Sequence, residues 1–187
     1  MTIPWNPDGI WKGETIAILG AGPDMTEELA ERARGYKTIA VNRALRFAPW
    51  ANMFVALDPK HPFWEEAKDF KGLKVIGVPD TDVDDSLYGG MWYETVQIAP
   101  GHLIEIRNNL MAAIRIAERA GAAKILLLGV DPERYEEVHA HTGFRGLVQG
   151  LEQITAELRG KGIEVERVDS DFSAIQTKPA KGKKKWT

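Results

Sequence analysis

Six short apolar runs, separated by longer amphipathic or polar segments, constrain this chain more than any other feature. They are Thr15 to Leu19, Lys37 to Val41, Met53 to Leu57, Lys74 to Val78, Lys124 to Leu128 and Glu164 to Val168. Each is about five residues long and nearly all apolar at its centre (Ile-Ala-Ile-Leu, Ile-Leu-Leu-Leu), the pattern of strands covered on both faces. Strands that alternate with helical segments predict a single α/β domain with a mainly parallel sheet and helices on both faces. The first helix is expected after Gly20-Ala21-Gly22-Pro23, with Asp24 as N-cap and Glu27 as its capping-box partner. Further helices are expected over Pro62 to Phe70, over Asn109 to Ala120 and over about Phe144 to Arg159. In the third, Leu110, Met111, Ala113, Ile114 and Ala117 share a face; in the fourth, Leu147, Leu151, Ile154 and Leu158 do. Pro79 to Ile106 and Asp131 to Gly143 lack regular patterning and read as rims of a site, the first long enough for a lid or a small hairpin at Trp92 to Ile98.

Composition narrows the chemistry. The 187 residues include no cysteine, which excludes disulfides, a thiolate nucleophile and Cys-ligated metal. No apolar run approaches the roughly 18 residues of a membrane span, and Met1 to Asp8 resembles no signal peptide, so a cytoplasmic protein without a membrane span is expected. The formal charge is −3, but five lysines (Lys178, Lys181, Lys183, Lys184, Lys185) fall in the last ten residues, which hold no acid. Removing them from the 24 basic residues leaves 19 against 27 acidic ones, a net of −8 for the body. A body that acidic does not grip a nucleic-acid backbone over its whole surface; the tail could recruit one, or serve only as a disordered solubilising tail. The organisation expected is an N-terminal arm (1–14), the α/β domain (15–177) and a basic tail (178–187). Trp5 and Trp11 could cover a sheet edge, form a homo-oligomer contact or pack the arm.

In an open parallel sheet the ligand crevice lies beyond the carboxyl ends of the strands. Residues in that position are Gly20, Ala21, Gly22, Pro23 and Asp24 after the first strand, then Asn42 and Arg43, then Asp58, and finally Gly129, Val130 and Asp131. Gly20-x-Gly22 between strand and helix suits a phosphate held on helix amides, or else makes a tight turn with no ligand. Met25 stands where a dinucleotide fingerprint has its third glycine, and Asn42 where it has an acid, so ordinary NAD binding is not expected. The Asn42 amide can donate and accept towards a ribose or base edge, or can simply form the turn. His61 and His102 read as incidental. His139-Ala140-His141, among acidic residues and before a helix, suits a general base, a metal ligand pair or a solvated loop.

Three stretches carry a resemblance. Ile-Leu-Gly-Ala-Gly-Pro-Asp (18–24), Ile-Ala-Val-Asn-Arg (39–43) and Val-Ala-Leu-Asp-Pro (55–59) resemble the opening of the bacterial sialyltransferases of glycosyltransferase family 42. They equally resemble a related superfamily of uncharacterised and phage-encoded Rossmann-like proteins that includes the 6-hydroxymethylpterin pyrophosphokinase-like enzymes. The second half, from Ala117 through Lys124-Ile-Leu-Leu-Leu-Gly-Val-Asp131, is similar to the later helix, strand and turn of those families. The resemblance implies a Rossmann-like nucleotide-binding domain and a transferase using a nucleotide-activated sugar, with no cofactor required. It implies that Gly20 to Asp24 and Asn42 hold the nucleotide, that Asp58 lies near sugar or phosphate, and that His141 deprotonates an unknown acceptor. Arg43, Arg107 or Arg145 would stabilise the departing phosphate, and Asn109 joins the nucleotide-binding set. The chain departs from the pattern at Asp24, where serine is usual, and at Asn108-Asn109-Leu110, where a Thr-Ser-Gly-type segment is usual. Two alternatives stand beside this expectation. One is an Mg²⁺-dependent pyrophosphokinase with Asp58 and Asp131 on the ion; the other is a non-catalytic nucleotide-binding protein.

Overall fold

The computed structural model describes residues 3–4, 6–57, 62–75, 91–92, 109–138 and 147–168. They form an α/β domain with a six-stranded, all-parallel sheet. Its strands are β2 (Thr15–Leu19), β3 (Lys37–Val41), β4 (Met53–Val55), β5 (Leu73–Val75), β7 (Lys124–Leu128) and β8 (Glu164–Val168), in the spatial order β5-β4-β3-β2-β7-β8. A separate parallel pair joins β1 (Ile3–Pro4) to β6 (Met91–Trp92), so Trp92 pairs with the N-terminal arm; residues 93–98, the rest of the expected hairpin, lie outside the described residues. In the central strand β2, four of five residues are fully buried, because helices cover both faces.

Alternation along each strand divides the core in two. Ile16, Ile18, Ile39, Val41, Met53, Val55, Ile125 and Leu127 face α3 (Asn109–Arg119) and α5 (Leu147–Gly160). Ala17, Leu19, Ala40, Phe54, Leu126 and Leu128 face α1 (Glu27–Glu31), the 3₁₀ turn η1 (Asn42–Arg46) and α2 (Phe63–Ala67). Burying about a dozen large aliphatic side chains, at roughly 1.5–3 kcal/mol each, is the main force holding the sheet between its helices. The face shared by α3 and α5 also carries charge. Arg115 is 6% exposed and pairs with Glu118 at 2.8 Å and Glu157 at 2.6 Å; Lys161 closes the cluster on both acids.

Three local expectations are corrected. Helix α1 is capped by Thr26, whose hydroxyl accepts from Leu29 N at 3.1 Å, and not by Asp24, whose carboxylate instead accepts from Arg134 at 2.7 Å. Helix α2 and strand β4 are shorter than expected, and β5 begins one residue earlier, at Leu73; residues 76–78 of the expected strand lie outside the described residues. After β3 the chain turns into η1 through Asn42, which has φ of +52°. Asp131 to Gly143 is not wholly irregular, because α4 (Pro132–Val138) begins there, with Asp131 accepting from Arg134 N and proline at the first helical position.

Of the arm expected over 1–14, residues 9–13 lie on the C-terminal end of α3. Gly9, Trp11 and Gly13 N–H groups donate to the carbonyls of Arg119, Ala120 and Gly121 at 2.8–2.9 Å, which satisfies groups that a helix end leaves unpaired. Trp11 packs against the core in that position. No helix among the described residues is long and apolar enough to cross a membrane.

Candidate functional site at the carboxyl ends of the strands

The strand order reverses between β2 and β7: from β2 the chain proceeds outward through β3 and β4 to β5, then returns to the other side of β2. The residues following β2 and β7 therefore stand at the switch point where open α/β sheets bind ligands. There Gly20 N donates to Leu128 O at 2.8 Å and Gly22 N to Gly129 O at 3.1 Å. A Cβ on Gly20 would lie 2.7 Å from Gly129 O, and one on Gly22 would lie 2.5 Å from it. Gly129 itself has φ of +61°, and a Cβ there would meet Met25. The close backbone approach for which these glycines are needed is made to the protein's own β7 turn.

The helix amides expected to face a phosphate are not available as expected. Helix α1 starts only at Glu27, spans five residues, and carries Glu27 and Glu28 in its first turn, which offsets its positive end. In the first described turn of α5, Val148 N donates to Glu136 Oε1 at 2.9 Å. Asp131 is a cap. The backbone N–H of Arg134 on its carboxylate, offset in part by desolvation, holds its pKa below the usual carboxylate value. A carboxylate held ionised in this way is a poor general base near neutral pH.

Above the glycines lies a cleft of about 120 Å³, walled by Ala21, Asn42, Asn109, Asp131, Tyr135 and Leu147, among others. A cavity of about 150 Å³ accommodates a benzene ring, so the enclosed part of this open cleft is about the size of one ring. Asn42 and Asn109 reach the cleft from different elements. Asn42 sits at the end of β3 in the left-handed region, which asparagine tolerates better than most residues, and its side chain hydrogen-bonds no described residue. Asn109 opens α3, and its Oδ1 accepts from Leu57 N at 2.7 Å, tying the helix to the end of β4. Arg43, next to Asn42, donates from Nε and Nη2 to Ala21 O at 3.3 and 3.1 Å. It is exposed, and among the described residues it pairs with no acid, unlike Arg134 with Asp24 and Arg167 with Glu133.

Of the residues expected at the site, the structure gathers Gly20, Ala21, Gly22, Asn42, Asn109 and Asp131 around one cleft; Arg43 is outside the lining but bonded to the carbonyl of Ala21, which lines it. Pro23 is exposed and outside the lining, and Asp24 is spent on Arg134. Asp58, Arg107, His139, His141 and Arg145 lie outside the described residues. Among the described residues no group of three or more His, Asp or Glu could hold a metal ion. Tyr135 and Leu147 are wall residues that sequence reasoning did not select. The signal available for Tyr135 was Asp131-Pro132, a cap followed by proline, which announces α4. No protein-family model, curated protein or solved structure matches this chain.

Proposed function

We propose that the cleft binds a nucleotide and that the protein is a nucleotide-dependent transferase, with a nucleotide-activated sugar as donor. The observation that carries this reading is the convergence of two asparagine amides and one arginine without an acid partner on a ring-sized cleft at the switch point. Amides serve a nucleoside because its edges mix donors and acceptors, and a guanidinium on the rim serves the attached phosphate. The chain joining α4 to α5 runs between two elements that wall the cleft, and it contains His139 and His141. His141 is the proposed base for an acceptor hydroxyl, taking its proton as the oxygen attacks and the nucleotide phosphate leaves.

The test is a thermal-shift and calorimetric screen of nucleotides and nucleotide sugars, with and without Mg²⁺. A true ligand raises Tm progressively with its concentration, by the equivalent of about 2.7 kcal/mol at one hundred times Kd. Asn42→Gly, which keeps the backbone conformation but removes the amide, should weaken the best ligand about tenfold. His141→Ala should lower turnover by roughly 10²-fold with nucleotide affinity intact. If no nucleotide shifts Tm, the reading fails; if binding and turnover both require Mg²⁺, phosphoryl transfer replaces sugar transfer; binding without turnover across acceptors leaves a nucleotide-binding protein.

A further inference from the structure

The two amides of the cleft are not equivalent. A backbone N–H can only donate, so the Asn109 atom 2.7 Å from Leu57 N is its carbonyl oxygen, and the orientation of the amide is fixed by chemistry. Asn109 lines the cleft, and its Nδ2, the polar atom of the amide not engaged by Leu57, donates to no described residue. Asn42 has no such anchor and can present either edge of its amide. One wall of the cleft is thus a donor that cannot turn over, while the other adapts.

We infer that Asn109 determines specificity: the ring bound in the cleft carries a carbonyl acceptor on the edge facing Nδ2, so the nucleotide has a keto base, uracil or hypoxanthine, in preference to its amino counterpart, cytosine or adenine. This rests on the nucleotide reading above and adds the class of base to it. Each amino base puts an N–H₂ donor where the keto base has an acceptor, and two donors face to face leave both unsatisfied. Flipping Asn109 to relieve the clash would turn its own N–H₂ against Leu57 N–H, so that escape is closed. The selection is for hydrogen-bond polarity, not for size, since uracil and cytosine, or hypoxanthine and adenine, have nearly the same shape.

Titration calorimetry of UMP, CMP, IMP and AMP against the full chain and against Asn109→Asp tests this. Aspartate keeps an oxygen for Leu57 N, so the anchor survives, but it presents an acceptor where Nδ2 was. Wild type should bind UMP over CMP, and IMP over AMP, by about tenfold or more, and Asn109→Asp should abolish or invert both ratios. Using ratios cancels any general loss of affinity caused by the new negative charge. Equal affinities for keto and amino partners in the wild type overturn the inference even if the variant does not fold. Unchanged ratios in a folded variant overturn it too, because a purely structural Asn109 would give that result. Failure of all four to bind sinks the nucleotide reading itself, which a preserved affinity without selectivity would not.

Discussion

Gly22→Ala separates a packing role for the glycine loop from a ligand-cradling one. The Cβ would lie 2.5 Å from Gly129 O, whereas ordinary contact begins near 3.4 Å, so about 0.9 Å of movement is required between two backbone segments. Neither segment is the free end of a side chain. The Gly129 turn is held by the Gly20 and Gly22 bonds to Leu128 and Gly129 carbonyls and packs on Met25. Overpacking of this kind costs about 1–3 kcal/mol, and stretching the 3.1 Å bond from Gly22 N to Gly129 O adds about 1 kcal/mol. The sum, about 2–4 kcal/mol, corresponds to a fall in Tm of about 5–12 °C for a chain of this length. Gly35→Ala is the control, because a Cβ there meets nothing within 4 Å; it should leave stability unchanged or raise it by about 0.4–1 kcal/mol. Urea denaturation of both variants without ligand gives the answer. A Gly22→Ala protein as stable as wild type would refute the packing argument, and if it had also lost nucleotide binding, the glycine would belong to a phosphate cradle.

Three further outcomes follow from particular contacts. The Arg115 guanidinium and Lys161 ammonium beside Glu157 pull its pKa down from 4.5 to about 2, so this acid stabilises the fold above pH 4.5 and loses its contribution as pH falls towards 2. The full shift would be worth about 3.4 kcal/mol, but the side chain is 37% exposed and solvent screening reduces this to about 1–2 kcal/mol. The fall in unfolding free energy between pH 7 and pH 3 should shrink in Glu157→Gln by a little over half of that amount, since pH 3 still lies above the acid's folded-state value of about 2; an unchanged pH slope would count against the network. Asn42→Val should cost about 1–3 kcal/mol, because a β-branched residue resists φ of +52°, while Asn42→Gly should stay within about 0.5 kcal/mol of wild type in the same denaturation assay. Thr26→Ala should cost about 1 kcal/mol through loss of the α1 cap. Asp24→Ala should cost less, since its partner Arg134 is half-exposed; the reverse ranking by thermal melting would restore Asp24 as the cap.

Much of the fold was legible because the strands that matter are buried on both faces. Ile16 to Leu19 and Ile125 to Leu128 can be continuous apolar runs only under such cover, and their limits in the sequence coincide with β2 and β7. Legibility declined towards the sheet edge: Leu73 and Lys74 are only partly buried, so the pattern around β5 is weaker and its start shifted by one residue. Asp24 satisfied the local rule for a cap, but a partner 110 residues away, Arg134, took its carboxylate and left Thr26 to do the capping. Helix α4 escaped a search for apolar periodicity because PERYEEV is almost entirely polar; its start is set by Asp131 and Pro132, and its position by Arg134 on Asp24 and Glu136 on α5.

The candidate site was legible as a place but not as a division of labour. The sequence marks Gly20, Gly22, Asn42 and Asp131 equally, as polar or glycine residues after apolar strands, and nothing local ranks them. Their roles depend on partners that only the fold supplies. Both glycines are committed to Gly129, Asp131 to the first turn of α4, and Asn109 is held in one orientation by Leu57 N. Once these commitments are made, the charged groups around the cleft are mostly neutralised by helix ends or by one another, with Arg43 the exception on the described rim. Among the described residues the cleft thus holds little unpaired charge, and two side-chain amides stand on its walls. On the nucleotide reading proposed above, hydrogen-bond polarity at Asn42 and Asn109, more than accumulated positive charge, is therefore what would discriminate between ligands.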